Sequence, residues 1–210
     1  MHTQPVEEHG TDLPRTIAEC CSPETNVVFA PNRYSEEQLN YLYNMGDVTI
    51  NVASNEGFGL ATAESVMAGT PIIVNVTGGM QDQCGFEIDG KYLTAEDYVK
   101  IGSLNDKKQY ENTKHGVWVK PIWPVRSTTG SVPTPYIFDD RVDFEDITPL
   151  IMDWYKMPKE DRDAAALKGR KWMLGEGKLS REAMCQSLVD GMEGAFENWK
   201  PKQKFKLIEL

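Results

Sequence analysis

Residues 48–79 read VTINVASNEGFGLATAESVMAGTPIIVNVTGG. Val48–Ala53 is rich in β-branched residues and predicts a strand. A turn bearing two glycines, Glu56-Gly57-Phe58-Gly59, leads into a helix from about Leu60 to Ala68, and Gly69 stands where a helix C-terminal glycine belongs. Pro71–Val76 is a second apolar strand, closed by Thr77-Gly78-Gly79. Upstream, Asn26–Ala30 (NVVFA) reads as a strand. Ser35-Glu36-Glu37-Gln38 is a capping box that opens a helix with the apolar face Leu39, Leu42 and Tyr43, and Gly46 ends it. Strand and helix alternate, which predicts parallel βαβ units with right-handed crossovers. The expected fold is α/β, a Rossmann-like, doubly wound parallel sheet. Ligands of such sheets bind beyond the carboxyl ends of the strands, so the loops of interest are Pro31–Tyr34, Ser54–Gly59 and Thr77–Gln81.

Outside that block the pattern weakens. Residues 1–25 are polar and broken by prolines, with one short helix expected near Leu13–Cys20. Residues from about 84 to 143 lack a helical period and read as an irregular insertion, with strands at Val117–Val119 and Tyr136–Phe138. C-terminal helices are expected over about 148–200. Thr148-Pro149 reads as a helix start, Lys159–Leu174 is a charged stretch, and Ser180 caps a last helix. Its apolar residues Met184, Leu188, Met192 and Phe196 recur every four positions and read as core. Residues 1–210 are taken together as one domain.

Composition narrows the function. The chain has 210 residues, 40% of them hydrophobic, enough for one sizeable core. A formal net charge of −10 opposes nucleic-acid and anionic-membrane binding. It does not oppose a single phosphate held by backbone N–H groups. The four cysteines and three histidines show no metal-ligand spacing, and free thiols in a reducing cytoplasm are expected. No signal peptide or membrane span is visible. Asn75-Val76-Thr77 fits a glycosylation acceptor by letter only, because it closes an apolar run that reads as buried.

The chemistry concentrates in Ser54–Glu64. Two glycines let backbone approach a ligand. The helix that follows offers unpaired N–H groups and a positive dipole end, a seat for a diphosphate. Glu56 lies before that seat. Glu64 lies in the second turn, roughly 6–8 Å further along the axis. A sugar and a ribose on either side of a diphosphate can each meet one carboxylate, which accepts hydrogen bonds from hydroxyls. Taken singly, Gly-x-Gly is common packing chemistry, and glutamates near a helix start are ordinary dipole partners.

The whole segment, with Ser65-Val66-Met67-Ala68-Gly69-Thr70-Pro71 and the strand after it, resembles the family-4 group of retaining GT-B glycosyltransferases. Their signature is E-G-F-G-L with a second glutamate in E-x7-E spacing, as Glu56 and Glu64 stand here. Tyr41–Val48 resembles the run that precedes this strand. Thr77–Gln83 resembles the family's Gly-Gly-x-x-Glu loop, with Asp82 or Gln83 in place of the usual glutamate. The convincing likeness covers about residues 26–83.

The resemblance implies a hexosyl transfer from a nucleotide-diphosphate sugar, UDP- or GDP-linked, to an acceptor hydroxyl on a glycan, lipid or protein, with retention. Glu56, the catalytic candidate, would bind the donor sugar hydroxyls and is read as a binder, not a nucleophile. Gly57, Phe58 and Gly59 would approach the sugar and distal phosphate. Leu60 would sit beside the phosphates, Glu64 would hold the ribose, and Arg33 and Tyr34 would lie by the nucleobase. No cofactor and no metal are implied; Asp161-x-Asp163 reads as the solvated face of a charged helix.

The family's first βα unit of this domain, with its Arg and Lys for the diphosphate, has no visible counterpart, nor has an N-terminal acceptor domain. The chain therefore reads as a donor half or fragment with little transferase activity of its own. Trp199 and Phe205 are candidates to dock on a missing half, and self-association is the other outcome. Trp118 and Trp123 read as packing more than as an acceptor groove. Alternatives are a non-catalytic nucleotide-sugar-binding module, or a phosphorylase or epimerase on the same architecture. A nicotinamide dehydrogenase is disfavoured because Thr62 occupies the third glycine position of G-x-G-x-x-G.

Overall fold

The computed structural model describes residues 1–8, 10–93, 97, 113–176 and 179–201. It divides into two compact units, Met1–Tyr41 and Leu42–Leu210.

In the first unit, helix α1 (Leu13–Cys20) stands where the sequence puts it. The Asp12 carboxylate accepts the Arg15 N–H at 3.1 Å, and Pro14 occupies the first turn, where no N–H is missed. Asn26–Ala30 does not form the expected strand. Among the described residues its backbone is tied at two points, by the Met1 ammonium to the Val28 carbonyl at 2.6 Å and the Ala30 N–H to the Met1 carbonyl at 2.8 Å. An apolar run becomes a strand only with a neighbour to complete its ladder. Helix α2 (Glu36–Met45) begins with the expected capping box. The Ser35 N–H donates to Gln38 Oε1 at 2.9 Å, and the Gln38 N–H donates to Ser35 Oγ at 3.3 Å.

The second unit is built on a parallel sheet of β1 (Thr49–Asn51), β2 (Ile72–Asn75) and a later strand, Val119–Ile122. The order places β2 in the middle, and all four of its residues are buried. That accounts for its unbroken apolar character, since a central parallel strand is covered on both faces. The faces follow the period of two. Ile72 and Val74 join a cluster with Val66, Trp118 and Met173, while Ile73 joins Ile122, Trp154 and Ala165 on the other side. Helix α3 (Leu60–Ala68) makes the crossover between β1 and β2. Gly69 ends it at φ 88°, as the sequence predicts.

After β2 come a 3-10 turn (Gly78–Gln83) and a small hairpin of β3 (Glu87–Ile88) and β4 (Lys91–Tyr92). The strand Val119–Ile122, β5, lies within the stretch that reads as an insertion, yet it is the third strand of the main sheet. A second hairpin pairs β6 (Val125–Ser131) with β7 (Thr134–Arg141), which contains the expected Tyr136–Phe138. Trp118 is buried, and Trp123 stacks on Phe86 at 5.1 Å, so both serve packing. The stretch from Leu93 to residue 113 is described only in part.

Three helices complete the unit. Helix α4 runs over Phe144–Lys156, so it starts ahead of Thr148-Pro149 and carries Pro149 inside it. Asp143 wins the cap: its carboxylate accepts the Glu145 N–H at 3.1 Å, and Glu145 and Asp146 suit the dipole of the first turn. Helix α5 (Lys159–Leu174) packs Ala165, Ala166, Gly169 and Met173 inward, while Asp161 and Asp163 are exposed. Helix α6 (Arg181–Glu197) is capped by Ser180, whose Oγ accepts the Ala183 N–H at 3.1 Å. Its stripe is not core. Met184, Leu188, Met192 and Phe196 are 56–78% exposed. Four-residue spacing defines a face but not a cover, and among the described residues nothing buries this one. Trp199 is exposed too, and Phe205 lies outside the described residues. No described helix is long and apolar enough to cross a membrane. The cysteines are free; Cys20, Cys21 and Cys185 are exposed and Cys84 is buried.

Candidate functional site

The loop Ser54–Gly59 leaves the carboxyl end of β1 and becomes the start of α3 at Leu60. Gly59 is the N-cap, at φ 85°, and no side chain caps the helix. Its first-turn N–H groups are therefore not consumed by a capping side chain, the condition for anion binding there. Gly59 is required twice over: the left-handed backbone favours glycine, and a Cβ would stand 2.7 Å from Thr62 Oγ1 and 2.8 Å from Met80 Cγ.

A second loop locks the first. Thr77-Gly78-Gly79 follows β2 and presses against Glu56–Phe58. The Gly79 N–H donates to the carbonyls of Glu56 and Gly57, each at 3.2 Å. A Cβ on Gly79 would lie 2.6 Å from both the Gly57 oxygen and Phe58 Cα, and one on Gly78 would overlap the Glu56 carbonyl. Gln83 completes the lock. It is 1% exposed, and its Nε2 donates to the Phe58 and Gly59 carbonyls at 2.5 and 3.2 Å. Of the two residues at the usual glutamate place, Gln83 therefore turns into the loop, while Asp82 is exposed.

The hairpin strand β7 holds both loops from the other side. Asn55 Nδ2 donates to Asp139 Oδ1 at 2.9 Å, and the Asp140 N–H donates to the Ser54 carbonyl at 3.2 Å. Thr77 Oγ1 donates to Asp140 Oδ2 at 2.9 Å. Asn75 is fully buried, and its Nδ2 bridges the Ala53 and Asp140 carbonyls at 2.9 and 2.6 Å. That burial also removes Asn75 from any surface role as a glycan acceptor.

Against this tight packing Gly57 stands apart. It is exposed, its backbone is outside the left-handed region, and a Cβ on it would meet nothing within 4 Å. Internal packing gives no reason for a glycine there.

Glu64 lies in the second turn of α3 and is exposed. Its Oε2 accepts the Tyr43 hydroxyl at 2.9 Å. Burial, then that hydrogen bond and the carboxylate charge, push the Tyr43 hydroxyl above its ordinary pKa, so it stays a donor. Thr70 Oγ1 donates to the Tyr43 carbonyl at 2.8 Å and fixes the tyrosine from behind. Glu64, Phe58, Leu60 and Met67 share a cleft of about 710 Å³ with Met184 and Leu188 of α6. Phe58 and Leu60 are exposed, at 39% and 68%. Glu56 is half-buried and is not a wall of that cleft. Arg33 and Tyr34 belong to the first unit. Arg33 is exposed, and the Tyr34 ring is 5.2 Å from that of His2.

Sequence reasoning missed Tyr43 as a partner of Glu64, and Asp139 and Asp140 as anchors. A tyrosine in an amphipathic helix and two aspartates in an irregular stretch carry no signal of their own. Asn75 did signal itself, as one amide in an otherwise apolar strand.

The family model described as glycosyl transferases group 1 matches residues 8–112, half of the chain. No curated protein matches it. With the glycine-locked strand–helix turn and its two glutamates in place, the chain belongs to the group 1 glycosyltransferases.

Proposed function

We propose that this chain supplies the donor-binding half of a retaining GT-B transferase of the family-4 type, and that it binds a nucleotide-diphosphate sugar. The diphosphate sits against the leading N–H groups of α3 and the backbone of Gly57–Leu60. Glu64, oriented by Tyr43, holds the ribose hydroxyls. Glu56 accepts hydrogen bonds from the donor sugar. Arg33 and Tyr34 remain candidates for the nucleobase on the family resemblance alone. The bond from the anomeric carbon to the diphosphate loosens through an oxocarbenium-like state, the acceptor oxygen bonds to that carbon on the same face, and the hydroxyl proton passes to the departing nucleoside diphosphate. Donor N–H groups aimed at the leaving phosphates stabilise the charge that develops there.

The observation that carries this reading is Gly57. Every other glycine of the two loops answers to packing, and Gly57 answers to none. A ligand approaching its backbone accounts for it.

Calorimetric titration separates the two glutamates. Glu64→Ala is expected to weaken the nucleoside diphosphate and the nucleotide sugar alike. Glu56→Ala is expected to weaken only the nucleotide sugar. Equal losses for both ligands in both variants would overturn the assignment.

A further inference from the structure

A second cavity, of about 470 Å³, shares no wall with the cleft of Glu64. One side of it, Gly116–Trp118, leads into the amino end of β5. The donor loops leave the carboxyl ends of β1 and β2 in the same parallel sheet. The cavity is therefore a place of its own.

Its lining combines flat rings with cations. Trp172 lies 5.1 Å from Trp118, tilted by 32°, and meets Tyr92 edge-on at 5.7 Å. The Trp118 N–H is spent on the Gln83 carbonyl, at 3.1 Å. The Trp172 N–H is buried and has no partner among the described residues. Lys114, Lys168 and Lys171 stand around the rings, exposed and without a salt bridge among the described residues. The carboxyl end of α5 accounts for Lys171 through the helix dipole. It does not account for Lys114, which comes from a different segment, nor for three ammonium groups gathered on a chain of net charge −10. Glu87 and Glu176 also line the cavity and supply acceptors.

We propose that this cavity binds an anionic pyranose. Buried Trp118 backs the wall, and the exposed Tyr92 and half-buried Trp172 rings match the C–H face of a sugar ring. The lysines take its phosphate or carboxylate as charge-assisted partners. The two glutamates, Glu87 and Glu176, accept from the ring hydroxyls. A bare inorganic anion would leave the rings unused. The sugar is either a free sugar phosphate or the charged end of a glycan, and both present the same chemistry. The proposal does not depend on the donor reading.

The test is calorimetric titration of the full chain with glucose-6-phosphate, with a glucuronic-acid-terminated oligosaccharide and with inorganic phosphate. At least one sugar is expected to bind, more weakly as salt rises. Lys168→Ala with Lys171→Ala is expected to weaken it by about tenfold or more, and arginine at both positions to restore it. Glu64→Ala is expected to leave it unchanged. Both lysines are exposed, and an unchanged melting temperature confirms that the alanine variant is folded. Binding of the sugar phosphate alone identifies a free metabolite, and binding of the oligosaccharide alone identifies a glycan end. Three results would overturn the proposal: no sugar binding, binding indifferent to the lysines or lost with Glu64, or inorganic phosphate binding as tightly as either sugar.

Discussion

Alanine at Gly57 and alanine at Gly79 should have opposite consequences, although both glycines belong to the same interlocked pair of loops. At Gly79 the added Cβ arrives 2.6 Å from the Gly57 carbonyl oxygen and Phe58 Cα, both backbone atoms that cannot rotate away. The loop must shift, and overpacking of this kind costs about 1–3 kcal/mol. For a chain of this size each kcal/mol lowers the melting temperature by roughly 2–4 °C. At Gly57 the added Cβ meets nothing within 4 Å, and the backbone is not left-handed. Alanine there restricts the unfolded chain and is neutral or stabilising by up to about 1 kcal/mol. Donor binding should show the reverse economy of effect: Gly57→Ala leaves the fold intact and removes the room for a phosphate or sugar against the backbone. Thermal denaturation with and without the nucleotide sugar reads both. The reasoning is refuted if Gly57→Ala keeps the full ligand-induced rise, or if Gly79→Ala melts with the parent chain.

Tyr43→Phe removes the hydroxyl that orients Glu64, and should weaken nucleoside diphosphate binding roughly three- to tenfold. A deoxyribose analogue should bind both forms equally, a discrimination that a merely structural tyrosine would not produce. Burial raises the pKa of the Cys84 thiol, so the folded chain holds that proton more tightly than the unfolded chain. Its contribution is intact below the ordinary thiol pKa of about 8.5 and is lost as pH rises past it; stability measured against pH should decline there, and less so in Cys84→Ala. Iodoacetamide should modify Cys20, Cys21 and Cys185 in the native chain, and Cys84 only after denaturation. Leu188→Gln with Met192→Gln on the exposed face of α6 should change stability by no more than about 0.5 kcal/mol per site, whereas a core stripe would lose several. Chemical denaturation distinguishes the two.

The region from Val48 to Gly79 was legible because its signals are local. A β-branched run, a glycine turn, a helix with a C-terminal glycine and an apolar strand each specify their own conformation. Where the outcome depended on a distant partner, the sequence was ambiguous. Asn26–Ala30 is apolar enough for a strand but has no ladder to join. Val119–Ile122 looked like part of an insertion because nothing in four residues announces which sheet they enter. Asp143 outcompeted Thr148 as a cap, since the acidic first turn after it suits the dipole better than the proline motif does. In the site, the segment Glu56–Glu64 stood out as a glycine turn running from a strand into a helix, and the roles of its residues rest on the family resemblance. Gln83 stood at a motif position and Asn75 stood out in its apolar strand, but their bonds to Phe58 and Asp140 span sequence separations that local pattern does not reveal, and Asp140 carried no signal at all.

The most direct test of the central claim is thermal stabilisation of the chain by a panel of UDP-, GDP-, ADP- and dTDP-sugars, repeated with Glu64→Ala. A ligand at a hundred times its dissociation constant adds about 2.7 kcal/mol. The account predicts that one base class raises the melting temperature and that Glu64→Ala abolishes or sharply reduces the rise. A panel that leaves the chain unmoved, or a rise that Glu64→Ala leaves intact, would contradict it.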